Sequence, residues 1–266
     1  MKCGNCEKNI PDGSKFCMYC GSEVQVGLTC HYCGFMGIPS GAFFCPACGA
    51  PLRREANVAL DTLKIGDYYY SDGTFSSHLD KSKTCVGVVF SLETTGIEKA
   101  HGWTHGQIVA LEDAEDECGS CVWGTDGDLP APHVFKEESV ALQDQNGYLY
   151  THSGYTNGDD FEAFKMARCY SVSLPTCTSS WYLPSLGQWR DILTNLGKIT
   201  VTDDVFSFDL VKTLENLCFL NIQSTDYWSS TAKDASNSWG VSFFYYGRVY
   251  SFNRQSACRV RTVAAI

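Results

Sequence analysis

Three patterns of apolar and polar positions succeed one another along the second part of the chain. From about residue 61, short runs rich in Val, Ile and Tyr at 67–70, 84–91 and 107–111 are bounded by Gly, Ser or Asp and predict strands. Phe161, Phe164 and Ala167 then recur at three-residue spacing behind Asp159 and Asp160, whose carboxylates can cap a helix start. A clearer helical stripe follows in Leu186, Trp189, Leu193 and Leu196. Ser185 and Gln188 carry the capping-box signature before it, and Gly197 can close its end. Leu210, Val211, Leu214 and Leu217 predict a weaker third helix, and beyond residue 225 the pattern is strand-like throughout. Strands, then helices, then strands predict one α+β domain, a mixed antiparallel sheet with two or three helices, over 61–266.

The last forty residues hold nine aromatics, Tyr227, Trp228, Trp239, Phe243, Phe244, Tyr245, Tyr246, Tyr250 and Phe252. Enrichment alone would fit a core, and alternation separates core from surface. Trp239, Val241 and Phe243 share one face of a strand and predict burial, with Ser238, Gly240 and Ser242 on the other. In the next strand Val249 and Ser251 share a face, while Arg248, Tyr250 and Phe252 point the opposite way. A cation between rings is poor core material. Tyr, Phe, Arg, Asn and Ser on a rigid scaffold have the chemistry of antibody paratopes: rings give contact area at little rotamer cost, and small polar groups adapt. The competing reading is a hairpin packed on its neighbour.

The first 54 residues follow a different rule. Eight of the chain's 15 cysteines fall there as four C-x2-C pairs: Cys3/Cys6, Cys17/Cys20, Cys30/Cys33 and Cys45/Cys48. The pattern repeats at an offset of 27 to 28 residues, a tandem duplication. Two residues between thiolates let one knuckle place both sulfurs on a tetrahedral ion, and a second knuckle completes the set. Gly21, Gly34 and Gly49 follow three of the pairs, where a positive φ is cheap. Units this short cannot bury enough surface to fold alone, so metal replaces a core. The expectation is two zinc ribbons, 1–26 and 27–54, holding two structural zinc ions, then a linker at 55–60. A disulfide cluster is the competing reading. The chain opens into cysteine pairs with no apolar signal segment, which favours metal and a cytoplasmic location.

Composition narrows the function. The 266 residues are 44% hydrophobic and 19% charged, with a formal net charge of -10. That profile is globular and unsuited to coating nucleic acid. The ribbon segment carries Lys2, Lys8, Lys15, Arg53 and Arg54 against Glu7, Asp12 and Glu23, a net +2 that is too small for a phosphate track. A protein partner or self-association is therefore expected of the ribbons. No apolar run approaches the roughly 18 residues of a membrane span. Phosphate-cradling loops, a G-x-S-x-G elbow and an H-E-x-x-H pair are absent.

Several phrases occur in a characteristic order: Gly87-Val88-Val89-Phe90, His105-Gly106-Gln107-Ile108-Val109-Ala110-Leu111-Glu112-Asp113-Ala114, Trp181-Tyr182-Leu183-Pro184-Ser185, Tyr227-Trp228-Ser229-Ser230-Thr231 and Arg259-Val260-Arg261. Over 61–266 the chain resembles a bacterial family of C-type-lectin-like domains that shares its fold with the formylglycine-generating enzyme and includes the variable proteins of diversity-generating retroelements. The N-terminal segment resembles double zinc ribbons. The first resemblance implies a ligand-binding scaffold whose C-terminal region, about 227–263, is rewritten at adenines by a mutagenic reverse transcriptase. It implies ligand contacts at Asn237, Phe244, Tyr245, Tyr246, Arg248, Tyr250, Phe252, Asn253, Arg254, Ser256, Ala257 and Cys258, toward an unidentified protein or other macromolecule. Thr262 stands where the family usually has proline.

Other constellations are weaker. Cys118-Gly119-Ser120-Cys121 follows an acidic run, Glu112, Asp113, Glu115, Asp116 and Glu117, which would raise a thiol pKa. The run itself reads as a solvated loop. His105 reads as a fold residue, and Trp181, Leu183 and Trp189 as core. The expectation is a non-catalytic binding protein. The alternatives are a cysteine-dependent oxidase on the same fold, with Cys218 and Cys258 as candidates, or a ribbon-based nucleic-acid binder.

Overall fold

The computed structural model describes residues 60–266 apart from 115–118, 128, 130–133, 154, 157, 159, 200–205 and 245–246, together with residues 8, 18–20, 35 and 47. The chain divides into two compact units, Met1–Val58 and Ala59–Ile266. In the second unit the elements run β1 (Tyr68–Tyr70), β2 (Phe75–Ser76), β3 (Cys85–Ser91), α1 (Gly96–His101), β4 (Gln107–Ala114), α2 (Glu138–Ala141), α3 (Gly147–Thr151), α4 (Glu162–Arg168), α5 (Leu186–Asn195), β5 (Ser207–Phe208), α6 (Leu210–Asn216), β6 (Asp226–Ala232), β7 (Asn237–Ser242), β8 (Gly247–Asn253) and β9 (Val260–Ala265). The mixture is α+β, and the strand pairs within both sheets are antiparallel.

One sheet has the order β2-β1-β3-β4-β9 and the other β5-β8-β7-β6. The first is covered on both faces. Val88 and Phe90 of β3 enter the cluster built on α5, while Val86 and Val89 join Trp181 and Ala264 on the other side. Strand β3 therefore reads as a continuous apolar run rather than an alternating one. The C-terminal strand closes this sheet against β4, and Gly106, at φ +140°, lets Ile266 exchange backbone hydrogen bonds with the 105–106 turn. The chain passes from the second sheet to the first at Arg259, whose N–H and C=O bond to Asp226 and Trp228 of β6.

Helix α5 forms as the stripe predicts. Ser185 and Gln188 make both halves of a capping box, and Leu186, Trp189, Ile192 and Leu193 are buried. The Trp189 indole donates to the Trp228 carbonyl at 3.0 Å and packs on Tyr227 and Phe243, which ties the helix to the second sheet.

Two expectations are corrected. The helix holding Phe164 and Ala167 starts after Phe161 with no side-chain cap, so Asp160 does not cap it; Asp159 lies outside the described residues. Asp113 is not in a solvated loop. It ends β4 in the interior, accepting a hydrogen bond from the Tyr227 hydroxyl at 3.0 Å, with Arg259 at 3.2 Å and Arg261 at 2.5 Å. Burial still pushes its carboxyl above the usual range, and the two guanidinium groups only partly offset that. Of the rest of the run, Glu112 is exposed, and residues 115–117 are outside the description. Trp181, Leu183 and Trp189 are core. Among the described residues no helix is long and apolar enough to cross a membrane.

Candidate functional site

The sheet β5-β8-β7-β6 places the C-terminal aromatics on two faces. Register pairs Ser238 with Phe252, Gly240 with Tyr250 and Ser242 with Arg248, so small residues of β7 lie opposite large ones of β8. Inward go Trp239, Val241, Phe243 and Val249, all members of the main core. Outward go Arg248 and Tyr250, with Phe244 beyond the end of β7. Tyr250 is 46% exposed and Phe244 47%, against 4% for Val249 between the two outward residues.

The Arg248 guanidinium lies 4.6 Å from the Tyr250 ring centre, a cation–π contact that orients the cation while leaving it at the surface. No carboxylate among the described residues pairs with it. Phe252 is half-buried: its ring meets Tyr250 at 5.3 Å, stands edge-on to Trp228 at 5.7 Å, and lies over Gly240. Phe252 is thus the rim of the outer face and part of the core beneath it. Lys233, absent from the sequence-based set, lies toward the opposite face of the sheet, donating to Ser251 Oγ at 3.1 Å and sitting 4.7 Å over the Trp239 ring.

After β8 the alternation changes phase. Asn253, Gln255 and Ala257 are exposed, Ser256 is half-buried, and Arg254 and Cys258 are buried. Asn253 shapes the turn, accepting from the Gln255 and Ser256 amides. Asn237 holds the β6–β7 turn by donating to both carboxylate oxygens of Asp234.

Arg254 and Cys258 are corrections to the expected contact set. Arg254 is 0% exposed; it donates to the carbonyls of Thr125, Gly127 and Asp234 and stacks 4.7 Å over Trp123. It clamps the strap 121–127 to the second sheet. Cys258 pairs across an antiparallel bridge with Cys121, not with Cys218, which is exposed. Burial, then the nearby Asp226 and Cys121, push the Cys258 thiol far up, which makes it a poor nucleophile. Tyr245 and Tyr246 lie outside the described residues, as do Cys118 and the ribbon cysteines Cys3, Cys6, Cys17, Cys30, Cys33, Cys45 and Cys48; Cys20 is described and exposed.

The missed features share a cause. The partners of Arg254 are backbone carbonyls, and Lys233 acts through a ring and a serine, contacts that leave no mark on spacing. Alternation from Arg248, Tyr250 and Phe252 points Arg254 outward, and the change of phase after β8 that buries it leaves no local signal in the sequence.

Comparison with known proteins adds three findings. No curated protein matches the chain. A crystal structure of a fimbrial protein from Bacteroides ovatus ATCC 8483 is similar over 77% of this chain, at a TM-score of 0.54 and 18% identity. The match covers 49% of that protein, so the chain spans about half its length. Residues 3–49 match the double zinc ribbon family, and the donor set of that segment, eight thiols in four knuckle-spaced pairs, suits zinc: the chain carries a double zinc ribbon at its N-terminus.

Proposed function

We propose that the protein is a non-catalytic binder, in which residues 61–266 form a C-type-lectin-like domain and the outer face of β8, with Phe244, Asn253, Gln255 and Ala257, contacts a protein or other macromolecular ligand. The zinc ribbons, with two structural ions, serve as an adaptor to a partner or to a second copy. The region is diversified by a retroelement, so that side chains change while the backbone stays. The observation that supports this reading is the segregation within β8: Arg248 and Tyr250 are exposed around a buried Val249, above a core of Trp239, Val241 and Phe243 that would not register their replacement.

Replacing Phe244, Arg248 and Tyr250 together by Ser is expected to leave unfolding free energy within about 1 kcal/mol, as exposed sites do. A larger loss would make these side chains structural and end the recognition reading. Diversification has its own test in the flanking DNA, where a near-identical, adenine-substituted copy of the last codons should lie beside a reverse transcriptase gene. Absence of that copy would leave an invariant binding domain. An oxidase centred on Cys218 and Cys258 is disfavoured by the burial of Cys258 and by its pairing with Cys121.

A further inference from the structure

Five of the six indole N–H groups donate to backbone carbonyls: Trp123 to Ser229, Trp181 to Val172, Trp189 to Trp228, Trp228 to Cys121 and Trp239 to Phe135. Trp103 is the exception. Its indole has no acceptor among the described residues, and its ring is half-buried where the other five are buried. A capping box at Thr95 and Glu98 starts α1, and Gly102, at φ 82°, ends it, so that the Trp103 amide returns to the Glu98 carbonyl at 3.0 Å. That turn lays Trp103 against His101, with ring planes 8° apart and centres 4.9 Å apart. Tyr148 of α3 stands edge-on to Trp103 at 4.9 Å, and His152, one helical turn further on, packs against Tyr148 at 4.6 Å.

The flanking rings are held from behind. His101 Nδ1 donates to the Ile97 carbonyl at 2.9 Å, and Ser180 Oγ meets His152 Nε2 at 3.1 Å. Tyr148 stands edge-on to buried Tyr182, whose hydroxyl donates to the buried Glu98 carboxylate at 2.8 Å. Rings fixed in this way lose little freedom when a ligand arrives.

We propose that Trp103, Tyr148 and His152, flanked by His101, form a docking site for an extended proline-rich segment of a partner protein that carries Lys or Arg beside its prolines. None of these residues belongs to the outer face of β8. The length of the row selects a polyproline II segment: with centres 4.9 and 4.6 Å apart, the three rings extend over less than about 10 Å, and one turn of that helix, three residues at about 3.1 Å each, covers the same span. The donor selects it too. Polyproline II makes no internal hydrogen bonds, so its carbonyls are available to the Trp103 N–H, and its rings pack between aromatic ridges. Charge selects the flanking cation. His105, two residues beyond Trp103, meets the Asp61 carboxylate at 3.5 Å, and that carboxylate is 76% exposed in a chain of net charge -10.

The test titrates the full-length, zinc-loaded protein with a capped peptide of six prolines followed by two arginines, and follows the indole N–H resonances by nitrogen-15 NMR. The one indole resonance missing from Trp103→Phe is expected to move downfield and saturate. By anisotropy of a fluorescein-tagged peptide, Trp103→Phe, which keeps a ring and loses the donor, should bind several-fold more weakly, and so should His152→Ala at its exposed position. Asp61→Asn should weaken the arginine peptide by about threefold and leave a peptide of prolines alone unchanged. An equal shift with glycines in place of the prolines would overturn the proposal, because charge alone would then account for binding. So would a Trp103 resonance that stays in place at millimolar peptide, or one that answers to cellohexaose and not to the peptide, which would make the rings a sugar platform.

Discussion

Two arginines six positions apart, both expected at the ligand surface, should behave oppositely when truncated. Arg254→Ala removes a buried guanidinium that donates to three carbonyls and stacks on Trp123. A buried acceptor left without its donor costs about 1–3 kcal/mol. Thr125 and Gly127 lie at exposed positions, so water recovers part of that, while Asp234 is half-buried. Losing a desolvated cation–π contact costs about 2 kcal/mol, and truncation also removes the packing of the stem. Against this stands relief from keeping a charge out of water, which offsets a share of the loss. The net expectation is a loss of about 3 kcal/mol, against at most about 1 kcal/mol for Arg248→Ala, whose only described partner is the Tyr250 ring. The assay is equilibrium urea unfolding followed by tryptophan fluorescence. All six tryptophans, Trp103 to Trp239, lie in the second unit, so the signal reports that unit alone. Arg254→Lys, which keeps the charge but not the fork, should fall between wild type and Arg254→Ala. Equal midpoints for Arg248→Ala and Arg254→Ala would refute the assignment of Arg254 to the interior.

Three further outcomes follow from the geometry. Asp144 is buried with no cation beside it, and burial raises its carboxyl above the usual range despite bonds from Thr231, Asn146 and Tyr150; the protonated form is favoured in the fold, so this group's contribution falls as pH rises from about 3.9 through its folded value. The melting-temperature difference between wild type and Asp144→Asn should therefore move in favour of wild type as pH is lowered from 7 toward 4, and a flat difference would contradict the assignment. Gly240→Ala places a methyl group against the Tyr227 carbonyl oxygen and 3.0 Å from the Phe252 ring, so it should cost about 1–3 kcal/mol in urea unfolding, whereas an unchanged midpoint would mean that neither group crowds this position. Chelation should release two zinc ions by elemental analysis and render the eight ribbon thiols reactive to a thiol reagent, while a sample that releases none would contradict the ribbon assignment.

What the sequence disclosed and what it withheld divide along a physical line. Helix α5 was legible because its periodic stripe, its Ser185–Gln188 box and its length agree, and each is a local property. The two faces of β7 and β8 were legible for the same reason, since side-chain alternation is fixed by the backbone. The strap was not. Its attachments run from Trp123 to Ser229, from Arg254 to Thr125 and Gly127, and from Cys121 to Cys258, each joining segments more than a hundred residues apart through carbonyls that any residue could supply. The β4 terminus was hidden similarly: Asp113 looks like one acid in an acidic run until Arg259, Arg261 and Tyr227 arrive from the far end of the chain. A scaffold that tolerates changing side chains on its outer face needs such attachments. Contacts made by backbone carbonyls and by residues on the buried face stay in place when Arg248 or Tyr250 is replaced. Local pattern therefore reveals which side chains the outer face exposes, and long-range polar contacts, silent in the sequence, hold the platform beneath them.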